Sequence, residues 1–186
     1  ALGIPQGAII TSATIQFTVD ETRNLDPCNL VIRGQASDNA LAFSSSSGDV
    51  SSRPVTSASI AWAPPAWTTI GAAGDAQRTP DISAIIQEIV NRNGYTSGSS
   101  IAIIINGTGR RIAESYNGSP GQAPQLCVEY LIPPAFDCPA LSANTGDACN
   151  DGDPTTINDL IDANCNCAGT PTACTGIGDN DGDGIC

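Results

Sequence analysis

The chain has 186 residues and a formal net charge of −12, and it contains no histidine, no lysine and no methionine. Without histidine it lacks the side chain whose ordinary pKa lies nearest neutrality, which excludes Ser-His-Asp and Cys-His catalytic sites and zinc sites of Cys/His type. Carboxylates, tyrosines and hydroxyls remain for chemistry, but no acid pair of the glycosidase kind stands out. We therefore predict that the protein is not an enzyme.

The negative charge is concentrated in the C-terminal part of the chain. Residues 1–136 carry ten acidic and seven basic side chains, a net charge of −3, whereas residues 137–186 carry nine aspartates and no basic side chain, a net charge of −9. Such a segment repels nucleic acid and anionic lipid and attracts divalent cations. No apolar run approaches the roughly 20 residues of a membrane span, and no signal peptide opens the chain. We expect no nucleic-acid partner, no membrane span, and a processed or truncated start at Ala1.

Six segments in the first 132 residues predict β-strands. Between Ala8 and Val19, apolar and polar residues alternate, as in a strand that is buried on one face. Five further segments are separated by turns rich in glycine, serine, proline and asparagine: 29–36, 57–63, 100–106, 111–116 and 125–131. Short strands at this spacing predict a mainly β fold, a jelly-roll β-sandwich over residues 1–132.

One short amphipathic helix is predicted between the third and fourth of these segments. Thr79 has the position of an N-cap residue, Pro80 that of the first helical residue, and Gly94 follows the last turn. Apolar residues recur at helical spacing, namely Ile82, Ile85, Ile86, Ile89 and Val90. We expect this stripe to pack on the sandwich and the helix to cover one of its open ends.

Two tryptophans, Trp62 and Trp67, flank a short Ala/Pro string. They either offer a platform on which sugar rings stack or pack in the core, and packing is favoured because the chain has few aromatic residues. Asn106 and Asn117 each begin an Asn-X-Ser/Thr sequon, the second weakened by Pro120. Both are candidate glycosylation sites at the surface of a secreted protein.

The composition changes at Pro133 and Pro134, and we predict a second, small domain over residues 133–186. It holds six of the eight cysteines, a clustering typical of secreted segments that are too small to build a core. An oxidising, extracellular location follows from this cysteine usage.

The cysteine spacing limits the disulfide pairs. Cys165 and Cys167 are one residue apart, which makes a bond between them strained, so each is expected to pair elsewhere. The nearest candidate partners are Cys138 and Cys149. Two more pairs are proposed for the remaining cysteines, namely Cys174 with Cys186 and, across two strands of the sandwich, Cys28 with Cys127.

Aspartate-rich motifs in the second domain point to calcium. Asp179, Asp181 and Asp183 form a D-x-D-x-D-G motif, the first half of a calcium loop in which alternate carboxylates converge on one cation. The distal ligand of an EF-hand is absent, so no EF-hand is predicted. For a second acidic cluster, calcium binding and an Asx-rich, disulfide-bonded turn are both open: Asp147, Asp151, Asp153, Asn158 and Asp159.

Long motifs in residues 4–131 carry a resemblance to a known family. IPQGAIITSATIQFTVDE, WAPPAW, RTPDISAIIQEIVNRNGY and GTGRRIAESYNGSPGQAPQL resemble the DNRLRE-type jelly-roll modules of bacterial secreted and surface proteins. Some members of that group bind polysaccharides, and many are parts of large surface proteins. Residues 137–170 resemble a Cys-rich repeat that follows such modules, and DNDGDG resembles a thrombospondin type 3 calcium repeat.

The resemblance implies that some strands are missing, because such modules begin well before the IPQGA strand. A sandwich without edge strands exposes unpaired backbone, which either further polypeptide or a neighbouring chain covers. We therefore predict a structural subunit of an extracellular bacterial fibre or surface assembly, a homopolymer joined head to tail by strand complementation and by a connector stabilised by calcium and disulfides. A polysaccharide-binding module is the alternative.

Overall fold

The computed structural model describes residues 2–171, which divide at Pro133 and Pro134 into two compact units. The division lies one residue from the predicted boundary. The first unit contains five strands and one α-helix: β1 (Ile9–Gln16), β2 (Val19–Gly34), β3 (Ile60–Trp62), α1 (Ser83–Val90), β4 (Ile103–Ala113) and β5 (Gln125–Leu131). Short 3-10 turns lie at Asp75–Gln77 and Pro120–Gln122. The described part of the second unit, residues 134–171, contains a 3-10 turn at Pro139–Leu141 and two strands, β6 (Thr156–Ile161) and β7 (Cys167–Pro171). The predicted mainly β fold is therefore confirmed.

The strands of the first unit form two antiparallel sheets. One pairs β1 with β5, and the other has the order β3-β2-β4. Both sheets contribute apolar residues to one core, which includes Ala13, Ile15, Ile32 and Trp62. The predicted jelly roll is not established, because a jelly roll has eight strands and the two sheets described have two and three.

One pair of predicted strands is merged and another strand is longer than predicted. The segments 100–106 and 111–116 are largely joined in β4, and β2 extends the segment 29–36 toward the N-terminus, as far as Val19. The register of β2 against β4 shifts three times between Val19 and Asn29. Gly109, with φ of +83°, permits this, since a Cβ there would stand 2.5 Å from the Cα of Cys28. The glycine-rich segment around Gly109, whose composition is that of a turn, therefore lies at irregularities within a continuous strand.

The helix begins at Ser83, so the predicted start at Thr79 and Pro80 is wrong. Thr79 serves the neighbouring sheet instead, because its hydroxyl accepts a hydrogen bond from the N–H of Ile15 at 2.9 Å. The apolar stripe is confirmed, since Ile82, Ile85, Ile86, Ile89 and Val90 are each 0–1% exposed. The helix packs against β1 and β2, one strand from each sheet. At Gly34 a Cβ would stand 2.6 Å from Cδ1 of Ile89, so glycine allows the helix to approach β2 closely.

As far as Pro171, the second unit is a disulfide-bonded hairpin with little core. β6 and β7 pair antiparallel, and backbone hydrogen bonds attach the segment around Asp147 and Cys149 to β6. Among residues 134–171, the buried hydrophobic residues are Cys138 and Ile161. Disulfide bonds must therefore supply the stability that the burial of apolar side chains supplies in the first unit.

Candidate functional site

One edge of β1 is covered by the segment that precedes α1. The carboxylate of Asp81 accepts the N–H of Ala13 at 2.9 Å, and the N–H of Ile82 donates to the carbonyl of Ala13 at 2.8 Å. Two residues along, Thr79 makes the equivalent pair of bonds to Ile15, at 2.9 and 3.0 Å. The backbone groups of Ala13 and Ile15 thus point away from β5.

This arrangement determines which backbone groups β5 leaves unpaired. Backbone groups of successive strand residues point to opposite edges, so Thr14 and Gln16 bond to β5 at their partners Cys127 and Gln125. The alternate residues of β5 then direct their N–H and C=O groups to the other edge, where the described part of the chain supplies no strand. These residues are Leu126, Val128 and Tyr130.

A groove of about 340 Å³ lies beside this edge. Apolar residues from both sheets line it, among them Ile15 and Leu126 from the first sheet, Ile103 at the start of β4, and Ile101 just before that strand. Ile101, Ile103 and Leu126 are only partly buried. β4 is likewise bonded to a single strand, β2, in the region described. We call the free edges of β4 and β5, with the groove between them, the open flank.

Of the two alternatives for Trp62 and Trp67, the sugar platform is wrong, because both rings are in the core. Trp62 is 8% and Trp67 is 2% exposed. Phe17 stacks on Trp62 with ring centroids 5.7 Å apart, and Nε1 of Trp67 donates to the carbonyl of Ala76 at 3.0 Å. The favoured alternative, that both tryptophans pack in the core, is confirmed.

Arg111 holds the loop between the two tryptophans. Its side chain is 4% exposed and forms an ion pair with Asp26 at 2.5 Å. The same guanidinium donates to the carbonyls of Pro64 and Pro65 at 2.9 and 2.8 Å. Because the guanidinium is already bonded to groups of the same chain, Arg111 has a structural role.

The predicted Cys28–Cys127 disulfide is absent, and both cysteines are free thiols. Cys28 lies on β2 and is 5% exposed, whereas Cys127 lies on β5, in the other sheet, and is exposed. Side chains alternate along a strand, and the neighbours Leu126 and Val128 pack on the core. The thiol of Cys127 therefore points outward, away from β2.

The disulfides of the second unit join Cys138 to Cys165 and Cys149 to Cys167. As expected from the spacing, the two cysteines that stand one residue apart each pair elsewhere. The proposed Cys174–Cys186 pair and the D-x-D-x-D-G motif at Asp179, Asp181 and Asp183 lie outside the described residues.

Most acidic side chains between residues 134 and 171 accept backbone hydrogen bonds within turns. Asp147 accepts the N–H of Asn144 at 2.6 Å, and Asp153 accepts both the hydroxyl and the N–H of Thr155, at 2.6 and 2.9 Å. The Thr155 hydroxyl and then its N–H lower the pKa of Asp153. Asn158 is exposed, with φ of +55°. This is the pattern of Asx turns.

Asp151 accepts the N–H of Asp153 in the same way, at 2.8 Å, but it also lies close to Asp159 in an oxygen-rich environment. The hydroxyl of Thr156 is 3.2 Å from Oδ1 of Asp151 and 3.0 Å from the carbonyl of Asp153. Oδ2 of Asp159 accepts the N–H of Asp151, while its Oδ1 is buried without a hydrogen-bond partner. Within residues 2–171, however, no three His, Cys, Asp or Glu side chains are placed to hold one metal ion. Calcium binding by the predicted cluster therefore stays a prediction.

Both candidate glycosylation sites are exposed. Asn106 lies in β4 opposite Val31, and Asn117 lies in the turn between β4 and β5. Exposure makes both side chains accessible to a modifying enzyme, and whether either carries a glycan stays a prediction.

Comparison of the chain with protein-family models, with curated proteins and with solved structures finds no match. The resemblances to DNRLRE-type modules and to the thrombospondin type 3 repeat therefore stay predictions, as does the polysaccharide partner. Among the described residues, no helix has the length and apolar character needed to cross a membrane. The two disulfides are consistent with an oxidising environment outside the cytoplasm.

Proposed function

We propose that the chain is a non-enzymatic structural module of an extracellular assembly, a fibre or layer at a bacterial cell surface, in which neighbouring copies complete the open flank with added strands. The open flank is the observation that carries this proposal. It combines a strand edge with unpaired backbone groups and a groove whose apolar walls are only partly covered. Strand addition satisfies the backbone groups, and alternate side chains of the added strand fill the groove.

The assembly is tested by the state of the purified chain. We expect multi-angle light scattering to show species larger than a monomer and negative-stain electron microscopy to show a regular polymer. A charge that points into the groove should block strand addition, because buried unpaired charge is costly. Leu126→Lys is therefore expected to abolish polymers, and Thr11→Lys, at an exposed position of β1, is the matched control.

A monomeric chain at all concentrations would contradict the proposal. It would also fail if Leu126→Lys, shown by circular dichroism to retain its sheet content, polymerised like the unaltered chain. Loss of polymers in Thr11→Lys as well would mean that added charge, and not the open flank, controls assembly.

The second unit is proposed to act as a connector stabilised by disulfides and calcium. Asp151 and Asp159 are close to each other, residues 137–186 contain no basic side chain, and the buried Oδ1 of Asp159 has no partner. A divalent cation would offset the repulsion between the two carboxylates and bond to Oδ1 of Asp159.

Calcium binding is tested by calorimetric titration and by melting in calcium, magnesium or chelator. At a hundredfold excess over Kd, calcium should stabilise the second unit by about 2.7 kcal/mol. Asp159→Asn should remove a site at the Asp151–Asp159 pair, and Asp181→Asn a site at the D-x-D-x-D-G motif. Equal melting in calcium and chelator would disprove the calcium part and leave the assembly proposal standing.

A further inference from the structure

The free edge of β5 carries few of the devices that keep strand edges from associating. It has one charged side chain, Glu129, and its pairing with β1 is irregular only beyond that residue. The strand is seven residues long and has no proline and no positive charge, and its register with β1 is unbroken from Gln125 to Glu129. Natural edge strands are instead short, bulged, or carry lysine or proline. An edge of this kind is a template for another strand.

A second copy of the same strand fits this edge with good backbone geometry. In an antiparallel, two-fold pairing, every register that is centred on a residue places outward backbone groups opposite outward groups. Registers centred on Cys127, Val128 or Glu129 pair at least five residues of each β5. The choice among them depends on the side chains of the exposed face, which carries Gln125, Cys127 and Glu129.

Charge and polarity select one register. Centring on Glu129 places two carboxylates opposite each other, and centring on Val128 places Glu129 opposite a thiol and Gln125 opposite Leu131. Centring on Cys127 places Glu129 opposite the amide of Gln125, which can donate to the carboxylate. On the inner face, the same register places Leu126 opposite Val128, so polar residues meet polar ones and apolar residues meet apolar ones.

We propose that two copies of the chain pair through their β5 edges, antiparallel and centred on Cys127, so that β1 and β5 of both copies form one four-stranded sheet. This inference rests on the proposed function, since it names the edge and the partner strand of one contact in the assembly. The pairing also covers the backbone groups of Leu126 and Val128, for which residues 2–171 of the same copy supply no partner strand.

This register brings the Cys127 thiols of the two copies within reach of a disulfide bond. Cys127 faces Cys127 of the second copy in a pair without direct backbone bonds, where Cα atoms are about 4.5 Å apart, within the range of disulfides. With oxidised glutathione as the oxidant, the two thiols lose two protons and two electrons. Glutathione is reduced to two thiols, and an intermolecular Cys127–Cys127 bond forms.

The experiment follows this bond in the full chain. Light scattering without oxidant should show a dimer or larger species, and a glutathione redox buffer should give a cross-linked dimer on a non-reducing gel, with mass spectrometry locating the bond at Cys127. The matched control is Thr14→Cys in a Cys127→Ser background. Thr14 lies beside Cys127 on the same face but one strand from the edge, so its thiol should cross-link far more slowly.

An exchange of charge tests the register itself. Gln125→Glu puts carboxylates opposite each other at two symmetric positions, and should weaken pairing on the order of tenfold. Adding Glu129→Gln to that variant restores a carboxylate opposite an amide and should restore the cross-linking rate. In the register centred on Val128, residue 125 faces Leu131 and this restoration is not expected.

The inference is overturned if Cys127 does not cross-link, if the Thr14→Cys control cross-links as fast, or if the charge exchange has no effect. Polymers that form without the Cys127 bond would refute this contact and leave the proposed function standing. Cross-linked dimers that never grow larger would support the contact and refute the polymer.

Discussion

The two units of this chain are held together by different means. The first unit has a core of buried aliphatic and aromatic side chains, and its two cysteines are free thiols. The second unit, within the described residues, buries little beyond Cys138 and Ile161 but has two disulfides. The comparison shows that disulfides appear where burial is insufficient, as expected for a segment of this size. It also means that one chain offers two independent ways to lose structure.

Reduction of the disulfides should have the largest effect on stability, and should affect the second unit alone. The bonds close loops with sequence separations of 27 and 18 residues, so each contributes roughly 3 to 4 kcal/mol in the loop-entropy model. We expect a reductant to unfold the second unit and to leave the first unit folded. Hydrogen exchange, read separately for peptides of the two units, measures this. Protection of β6 and β7 that survives full reduction would show that the hairpin folds without its disulfides.

A cavity in the core should have the converse effect. Ile86 is fully buried on α1, and Ile86→Ala is expected to destabilise the first unit by about 2 to 5 kcal/mol. The second unit should keep its protection from exchange. Ala84→Gly, at an exposed position of the same helix, is the control for helix propensity. An equal loss in both units would mean that their stabilities are coupled.

Acid should act on the first unit through Asp81, with the smallest effect of the three. Burial raises the pKa of this carboxyl, but hydrogen bonds from Ala13 and Ser83 outweigh it and leave the pKa below its usual value. A lowered folded-state pKa contributes stability above the unfolded value, near pH 4, and that stability is lost as the pH falls through the folded-state pKa.

Asp81→Asn tests this contribution. The variant should lose stability at pH 6 and converge with the unaltered chain at pH 2, as measured by urea unfolding of the first unit. Asp75→Asn, in the exposed turn before this segment, is the control. A difference between the two chains that does not change with pH would mean that the contribution of Asp81 is not electrostatic.

Local patterns predicted much of the fold because they reflect local physics. The stripe from Ile82 to Val90 is buried as its spacing indicates, and β5 spans the predicted segment. The helix start failed for a non-local reason: Thr79 has the side chain of an N-cap, but it bonds to Ile15 of β1, 64 residues away in sequence. Propensity cannot anticipate a competing partner of that kind.

The candidate site was less predictable than the fold. The pattern of Gln125 to Leu131 indicates a strand, but not that one of its edges is left unpaired. That follows from β1, whose other edge is used by Thr79 and Asp81. The separation of Cys28 from Cys127 has the same origin, because it depends on which sheet each strand joins.

The sequence by itself determined composition-level properties and local structure: the absence of histidine chemistry, the charge asymmetry, the helix stripe, and the crowding that prevents Cys165 and Cys167 from bonding to each other. These depend on side-chain identity and on spacing along the chain. Only the tertiary structure decided that Trp62 and Trp67 are buried, that Cys127 is a free surface thiol, and that β5 has an open edge. Those outcomes depend on which segments compete for the same backbone groups and the same core, and such competition is settled between residues far apart in sequence.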